Sequence, residues 1–77
     1  MNRKEIAAYV RNNVEFFEER LQMALNKMER MRCPLSFADQ ELYDDITNAI
    51  EDWCDDNEVC YDEVDWDDAI EEIIWEV

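Results

Sequence analysis

Apolar residues recur at alternating spacings of four and three positions through the first part of the chain. This spacing places them on one side of an α-helix and predicts a single first helix from near Asn2 to Arg32. The main positions, called the seam below, are Val10, Val14, Phe17, Leu21, Ala24, Met28 and Met31, and Ile6, Ala7 and Leu25 widen the stripe. Because proline disfavours helical geometry in the residue before it, we expect this helix to end at Cys33–Pro34.

The rest of the chain predicts two shorter helices. The second would begin at Ser36 as its N-cap and fade between Asp55 and Asn57, where short polar side chains compete for backbone hydrogen bonds. Its apolar positions are Phe37, Leu42, Ile46, Ala49, Ile50 and Trp53. Asp65 is the predicted cap of a third helix from Trp66 to about Glu76. Its apolar positions are Trp66, Ile70, Ile73, Ile74 and Val77. The segment Glu58 to Val64 fits either a loop or a short extended piece.

The seam has two physical uses, and the sequence leaves both open. It could bury its side chains against the later helices of the same chain, or it could pair with a second copy in a homodimer. A helix of about thirty residues is about 45 Å long, and the two later helices together roughly match that length. The residues that would form this core or dimer contact are Val10, Val14, Phe17, Leu21 and Met28.

The chain has no glycine and one proline, which removes the usual chemistry of tight β-hairpins. Its 77 residues are enough for one domain. We therefore predict a small all-α domain over residues 1–77, in which a long amphipathic helix (1–33) packs against two shorter acidic helices (34–77).

The charge of the chain also changes between residues 1–33 and residues 34–77. The net charge is −15, from 22 acidic and seven basic residues, and all seven bases lie at or before Arg32. Five of the acids precede Pro34, which leaves 17 acids and no base in residues 34–77. Such a run of acids fits either a generic solvated face or a binding surface. An ordinary solvated face mixes both signs, so the absence of bases favours the binding surface.

Most catalytic chemistry is missing from the sequence. There is no histidine to activate a nucleophile, and no glycine-rich loop to hold phosphate. Cys33, Cys54 and Cys60 have no CxxC spacing, so we expect free thiols rather than disulfides or a zinc site. We predict a protein that is not an enzyme, with no catalytic residues, no bound metal and no other cofactor.

The charge distribution also restricts the partners. Binding to DNA depends on lysine and arginine contacts to phosphates, so we expect no direct contact with nucleic acid. No apolar stretch approaches the length of a membrane span, and anionic lipid would repel the acidic half, so we expect no membrane contact. These features are typical of a cytoplasmic protein.

The acids of the second and third helices fall largely away from the apolar stripes. Carboxylates accept bidentate hydrogen bonds from arginine, as phosphates do, and neighbouring acidic helices could present rows of charge at duplex-like spacing. We therefore predict a mimic of nucleic acid that occupies the basic cleft of a nucleic-acid-binding protein. The predicted partner-binding residues are Asp44, Asp45, Asp52, Asp55, Asp56, Asp67, Asp68, Glu71, Glu72, Trp75 and Glu76.

In size, helicity and acidity, the chain is similar to small phage-encoded inhibitors of host defence, including anti-restriction and anti-CRISPR proteins. This similarity is one of composition, and it assigns no role to any single residue. It implies an inhibitor of a nuclease, restriction or CRISPR effector that acts in the host cytoplasm. The alternative hypothesis is an acidic adaptor that pairs with other proteins through its long N-terminal helix. Trp75 lies among acids and could be an exposed binding anchor, or it could pack under the first helix or in a dimer contact.

Overall fold

The structure is a computed structural model in which residues 3–75 are described. The predicted all-α class is confirmed, since this part of the chain forms helices and contains no β-strand. The α-helices are α1 (Arg3–Asn13), α2 (Phe17–Met31), α3 (Leu35–Ala38), α4 (Gln40–Asp56) and α5 (Trp66–Trp75), and a 3-10 helix spans Tyr61–Glu63.

The core lies around α1, which packs against both α4 and α5, while α3 links α2 to α4. Each helix contributes the apolar side of its own pattern to one continuous cluster. Its members include Ile6, Ala7, Val10, Phe17, Leu21, Ala24, Leu35, Leu42, Ile46, Ile50, Trp53, Ile73 and Ile74. Burying this apolar surface supplies most of the free energy that stabilises the domain.

The prediction of one long N-terminal helix is wrong, because the chain turns between Asn13 and Phe17. The Asn13 side-chain amide donates to the Tyr9 carbonyl oxygen at 2.7 Å, so a local side chain serves the last turn of α1. Phe16 then takes a left-handed backbone conformation with φ 54°, which cannot belong to a helix. A straight helix of about 45 Å would also exceed the longest dimension of the molecule, 38 Å.

Arg11 braces this turn. Its guanidinium lies 2.9 Å from the Glu18 carboxylate, which ties α1 to α2 across the break. It also donates to the Ile73 carbonyl oxygen of α5 at 3.2 Å and lies over the Phe17 ring at 5.7 Å. Arg11 therefore contacts residues of both α2 and α5 from its position on α1.

The seam residues lie mostly in the core of this single chain. Val10, Val14, Phe17, Leu21 and Ala24 are buried, and Met28 is half-buried. Met31 departs from the predicted seam because its side chain is 59% exposed. Because the chain turns after α1, the two halves of the seam can face different helices of the same domain.

The start of the second predicted helix also needs correction. Asp39, and not Ser36, is the N-cap of α4, since its carboxylate accepts a hydrogen bond from the Leu42 amide at 3.0 Å. Residues 35–38 form the separate short helix α3, which begins after Pro34. Phe37 was predicted to face the core but is 80% exposed, because α3 does not continue the register of α4.

The predicted cap of the third helix is confirmed. The Asp65 carboxylate accepts from the Asp68 amide at 3.2 Å, and α5 follows. The segment from Glu58 to Val64, for which the sequence allowed a loop or an extended piece, is neither throughout, because Tyr61–Glu63 form the 3-10 helix. The predicted contributions of Asn2, Glu76 and Val77 to the helices lie outside the described residues.

The C-terminus of α4 closes through a residue in an unfavourable conformation. Glu58 has φ 56°, and the amide of Val59 donates to the Cys54 carbonyl oxygen at 2.9 Å, which is the hydrogen bond of a Schellman cap. Glycine is the usual residue at this position, because a Cβ atom is strained there. A carboxylate at a helix C-terminus is also unfavourable to the helix dipole.

Replacing Glu58 with glycine is therefore expected to stabilise the domain by about 1 kcal/mol, measured as a higher urea midpoint. The matched control is Glu58→Ala, which removes the same charge but keeps the Cβ atom. It should give only the smaller electrostatic part of the gain. Equal gains from alanine and glycine would show that the backbone conformation is not the cause.

Candidate interaction surface

The outer side of α4 carries a row of exposed carboxylates, called the α4 row below. The helix turns its apolar residues into the core, and its acids fall on the opposite side. The members of the row are Asp44, Asp45, Asp52, Asp55 and Asp56, and all five are exposed. From the first to the last, the axial rise is about 18 Å. The structure thus agrees with the prediction that these five residues face solvent.

Three contacts hold parts of the α4 row in place. Asp45 pairs with Arg20 of α2 at 2.9 Å. The Tyr61 hydroxyl donates to Asp55 at 3.0 Å, and the Tyr9 hydroxyl donates to Asp56 at 3.5 Å. Within residues 3–75, the Arg20 pair is the one ion pair that reaches an acid of α4 or α5. Four charges of the row are therefore left uncompensated by the described part of the chain.

These carboxylates change the ionisation of both tyrosines. The hydrogen bond to Asp55 is the main cause that raises the pKa of Tyr61 above its ordinary value of 10, with partial desolvation second. Desolvation is the main cause for Tyr9, and the charges of Asp56 and Asp52 raise its pKa further. A phenolate at either position would face a carboxylate, so the neutral forms belong to the folded state.

The sign of the pH dependence follows from the direction of these shifts. A pKa that is higher in the folded state adds stability that is complete below pH 10 and is lost as pH rises through the raised values. We expect the urea midpoint to fall more steeply above pH 10 in the wild type than in a Tyr9→Phe, Tyr61→Phe double variant. Parallel curves for the two proteins would contradict this assignment.

The acids of α5 do not share one environment. Asp67 and Glu71 are exposed, together with Trp75, four positions further along the same stripe. Asp68 and Glu72 are half-buried on another side of the helix, and Asp68 lines a small pocket with Arg3 of α1. Asp67 and Glu71 are thus the exposed acids of the predicted set on α5. Glu76 lies outside the described residues.

A groove lies along the exposed stripe of α5. Its apolar walls come from Ile70 and Ile74 of α5, Tyr43 of α4 and Leu35 of α3. Asp67 and Glu71 line the same groove, so α4 and α5 flank a hollow here rather than a flush pair of acidic rows. The sequence singled out Trp75 and these acids but did not find the groove.

Trp75 is 65% exposed, so it does not pack under the first helix. It lines the groove together with Met28 of α2, and both also line an adjoining hollow beside Cys33. The signal in the sequence was the spacing of Asp67, Glu71 and Trp75, which puts all three on one helical stripe.

The remaining chemistry-bearing residues are dispersed. Cys33, Cys54 and Cys60 are free thiols, as predicted, and burial raises the pKa of Cys54, with Asp55 and Glu51 adding to the effect. Among residues 3–75, no three cysteine or carboxylate side chains are grouped to hold a metal ion. The described helices include none that is long and apolar enough to cross a membrane.

Two exposed features thus stand out on the described part of the chain, the acidic α4 row and the partly apolar groove beside Trp75. No protein-family model matches this sequence, and no curated protein or solved structure is significantly similar to the chain.

Proposed function

We propose that this protein is a non-enzymatic inhibitor that occupies the basic cleft of a nucleic-acid-binding protein. The target class is a nuclease, a restriction enzyme or a CRISPR effector, as in counter-defence by a phage in the host cytoplasm. The observation that carries the proposal is the α4 row, whose five aspartates are exposed along the helix α4.

The physical basis is the likeness between carboxylate and phosphate as acceptors. Both take paired hydrogen bonds from arginine, so a cleft that binds phosphates also binds suitably spaced aspartates. Successive turns of α4 are about 5.4 Å apart, and the full row spans about 18 Å, close to the length of five base pairs. Aspartate is short, which keeps each charge close to the helix and limits the entropy lost on binding.

The uncompensated charge of the row supports the same partner. A net charge of −15 steers the chain toward basic surfaces and speeds the encounter, and salt weakens the attraction. The same charge opposes contact with DNA or RNA itself. The mode of action is therefore competition with nucleic acid for a protein and not binding of nucleic acid.

The alternative, an adaptor that pairs through the N-terminal helix, has less support. Val10, Phe17 and Leu21 would have to leave the core of their own chain to contact a second protein. Pairing with a second copy stays a prediction, and it would have to use residues outside the buried seam.

The experiment that tests the proposal is affinity capture at low salt, with and without excess duplex DNA. The immobilised protein should retain a basic nucleic-acid-binding protein that the duplex displaces. The purified target should then lose its affinity for labelled nucleic acid when the chain is added, measured by fluorescence anisotropy. Targets that the duplex never displaces, or whose nucleic-acid binding is unchanged by the chain, would refute the mimic.

A further inference from the structure

The groove beside Trp75 is a second binding feature, distinct from the α4 row. Taken from here on together with the adjoining hollow beside Cys33, the groove comprises two hollows of about 420 and 560 Å³, within the size range of sites that hold an organic ligand or an anchoring side chain. Trp75 and Met28 line both hollows. An exposed tryptophan beside a flexible methionine is typical of surfaces that bind apolar side chains.

The charges around the groove restrict its occupant. Asp67 and Glu71 line one hollow, and Glu29 and Arg32 line the other, so acids exceed bases. Arg32 and Cys33 follow the C-terminus of α2, where the helix dipole contributes further negative charge. A second copy of a chain with net charge −15 would be repelled here, whereas a cationic partner would be attracted.

We propose that this groove binds an amphipathic, basic helical segment of a partner protein. The apolar side of that segment fills the hollows beside Trp75 and Met28. Its lysines or arginines contact Asp67 and Glu71, which are one helical turn, or about 6 Å, apart along α5. A ligand helix with basic residues four positions apart has the matching spacing.

This contact does not rest on the proposed function. The α4 row requires only positive charge, and it would attract any basic cleft of suitable width. The groove requires an apolar side chain beside the positive charge, so it discriminates among basic partners. An inhibitor with both features would bind selectively, whereas a protein that used the groove alone would still bind an amphipathic helix.

The test uses a synthetic amphipathic peptide of leucine and lysine, about four turns long, and a scrambled peptide of the same composition. Binding to the full chain is measured by titration calorimetry and by tryptophan fluorescence at about 0.5 M salt, where exposed charge pairs are screened. We expect the amphipathic peptide to bind at least about tenfold more tightly than the scrambled one. We also expect a blue shift in the Trp75 emission.

Three variants make the assignment specific. Trp75→Ala should abolish the preference for the amphipathic peptide, while Phe37→Ala, which removes an exposed aromatic outside the groove lining, should keep it. Neutralising Asp44, Asp52, Asp55 and Asp56 should also keep the preference, which separates this site from the α4 row. Equal affinity for the two peptides, or a preference that survives Trp75→Ala, would overturn the proposal.

Discussion

Replacing Asp44, Asp52, Asp55 and Asp56 with asparagine should weaken binding to the basic target by about fiftyfold. Exposed ion pairs contribute about 0.2–1 kcal/mol each, and four of them act together along one helix. Asparagine keeps an acceptor oxygen for the Tyr9 and Tyr61 hydroxyls, so the local hydrogen bonds can persist. Asp45 stays unchanged because it pairs with Arg20. Affinity is measured by titration calorimetry against the captured target.

The matched control removes four charges from outside the α4 row and the groove, by replacing Glu5, Glu15, Glu19 and Glu41 with glutamine. All four are exposed, and none forms an ion pair with a described residue. The two variants have the same net charge. The control should therefore lose only the modest part of the binding affinity that comes from long-range electrostatic attraction. Equal losses in both variants would show that the row has no specific role.

The variant Val10→Asp should unfold the domain. Val10 is 0% exposed on α1, the helix that packs against both α4 and α5. A buried carboxylate without a partner costs about 4 kcal/mol or more, which is comparable with the whole stability of a domain of this size. Circular dichroism and urea denaturation would show the loss of cooperative structure.

Ala8→Asp is the matched control for this change. It adds the same charge to the same helix at an exposed position, so it should cost about 1 kcal/mol or less and leave the domain folded. The pair also tests the homodimer. If the seam were an interface between copies, Val10→Asp would give a folded monomer instead of an unfolded chain.

Much of the candidate surface followed from the sequence, because helical periodicity fixes which residues share a side. The acids of the α4 row lie away from Leu42, Ile46 and Ile50 at any packing of the helix, so their exposure was predictable. The groove was not predictable, because Leu35, Tyr43 and Ile70 are distant in sequence and meet only when α5 packs near α3 and α4. No local pattern encodes that meeting.

The same division applies to the helix ends. The cap at Asp65 is a local contact between a side chain and an amide three residues later, and the sequence predicts it. The turn at residues 14–16 was not predicted, because the apolar periodicity of the sequence runs through it without a break. The one local sign of the turn in the sequence was Asn13, whose side chain bonds to the backbone of α1. Burying both halves of the seam in one domain favours the turn over a continuous helix, despite the left-handed conformation of Phe16.

The sequence by itself determined the helical class, the polarity of charge and the side of α4 that faces solvent. These properties depend on residues a few positions apart, whose relative placement is set by helix geometry. The tertiary structure alone decided that the seam is internal, that α1 and α2 are separate, and that Trp75 lies exposed beside a groove. Those properties depend on which distant surfaces bury each other, since the free energy of apolar burial is a sum over the whole domain.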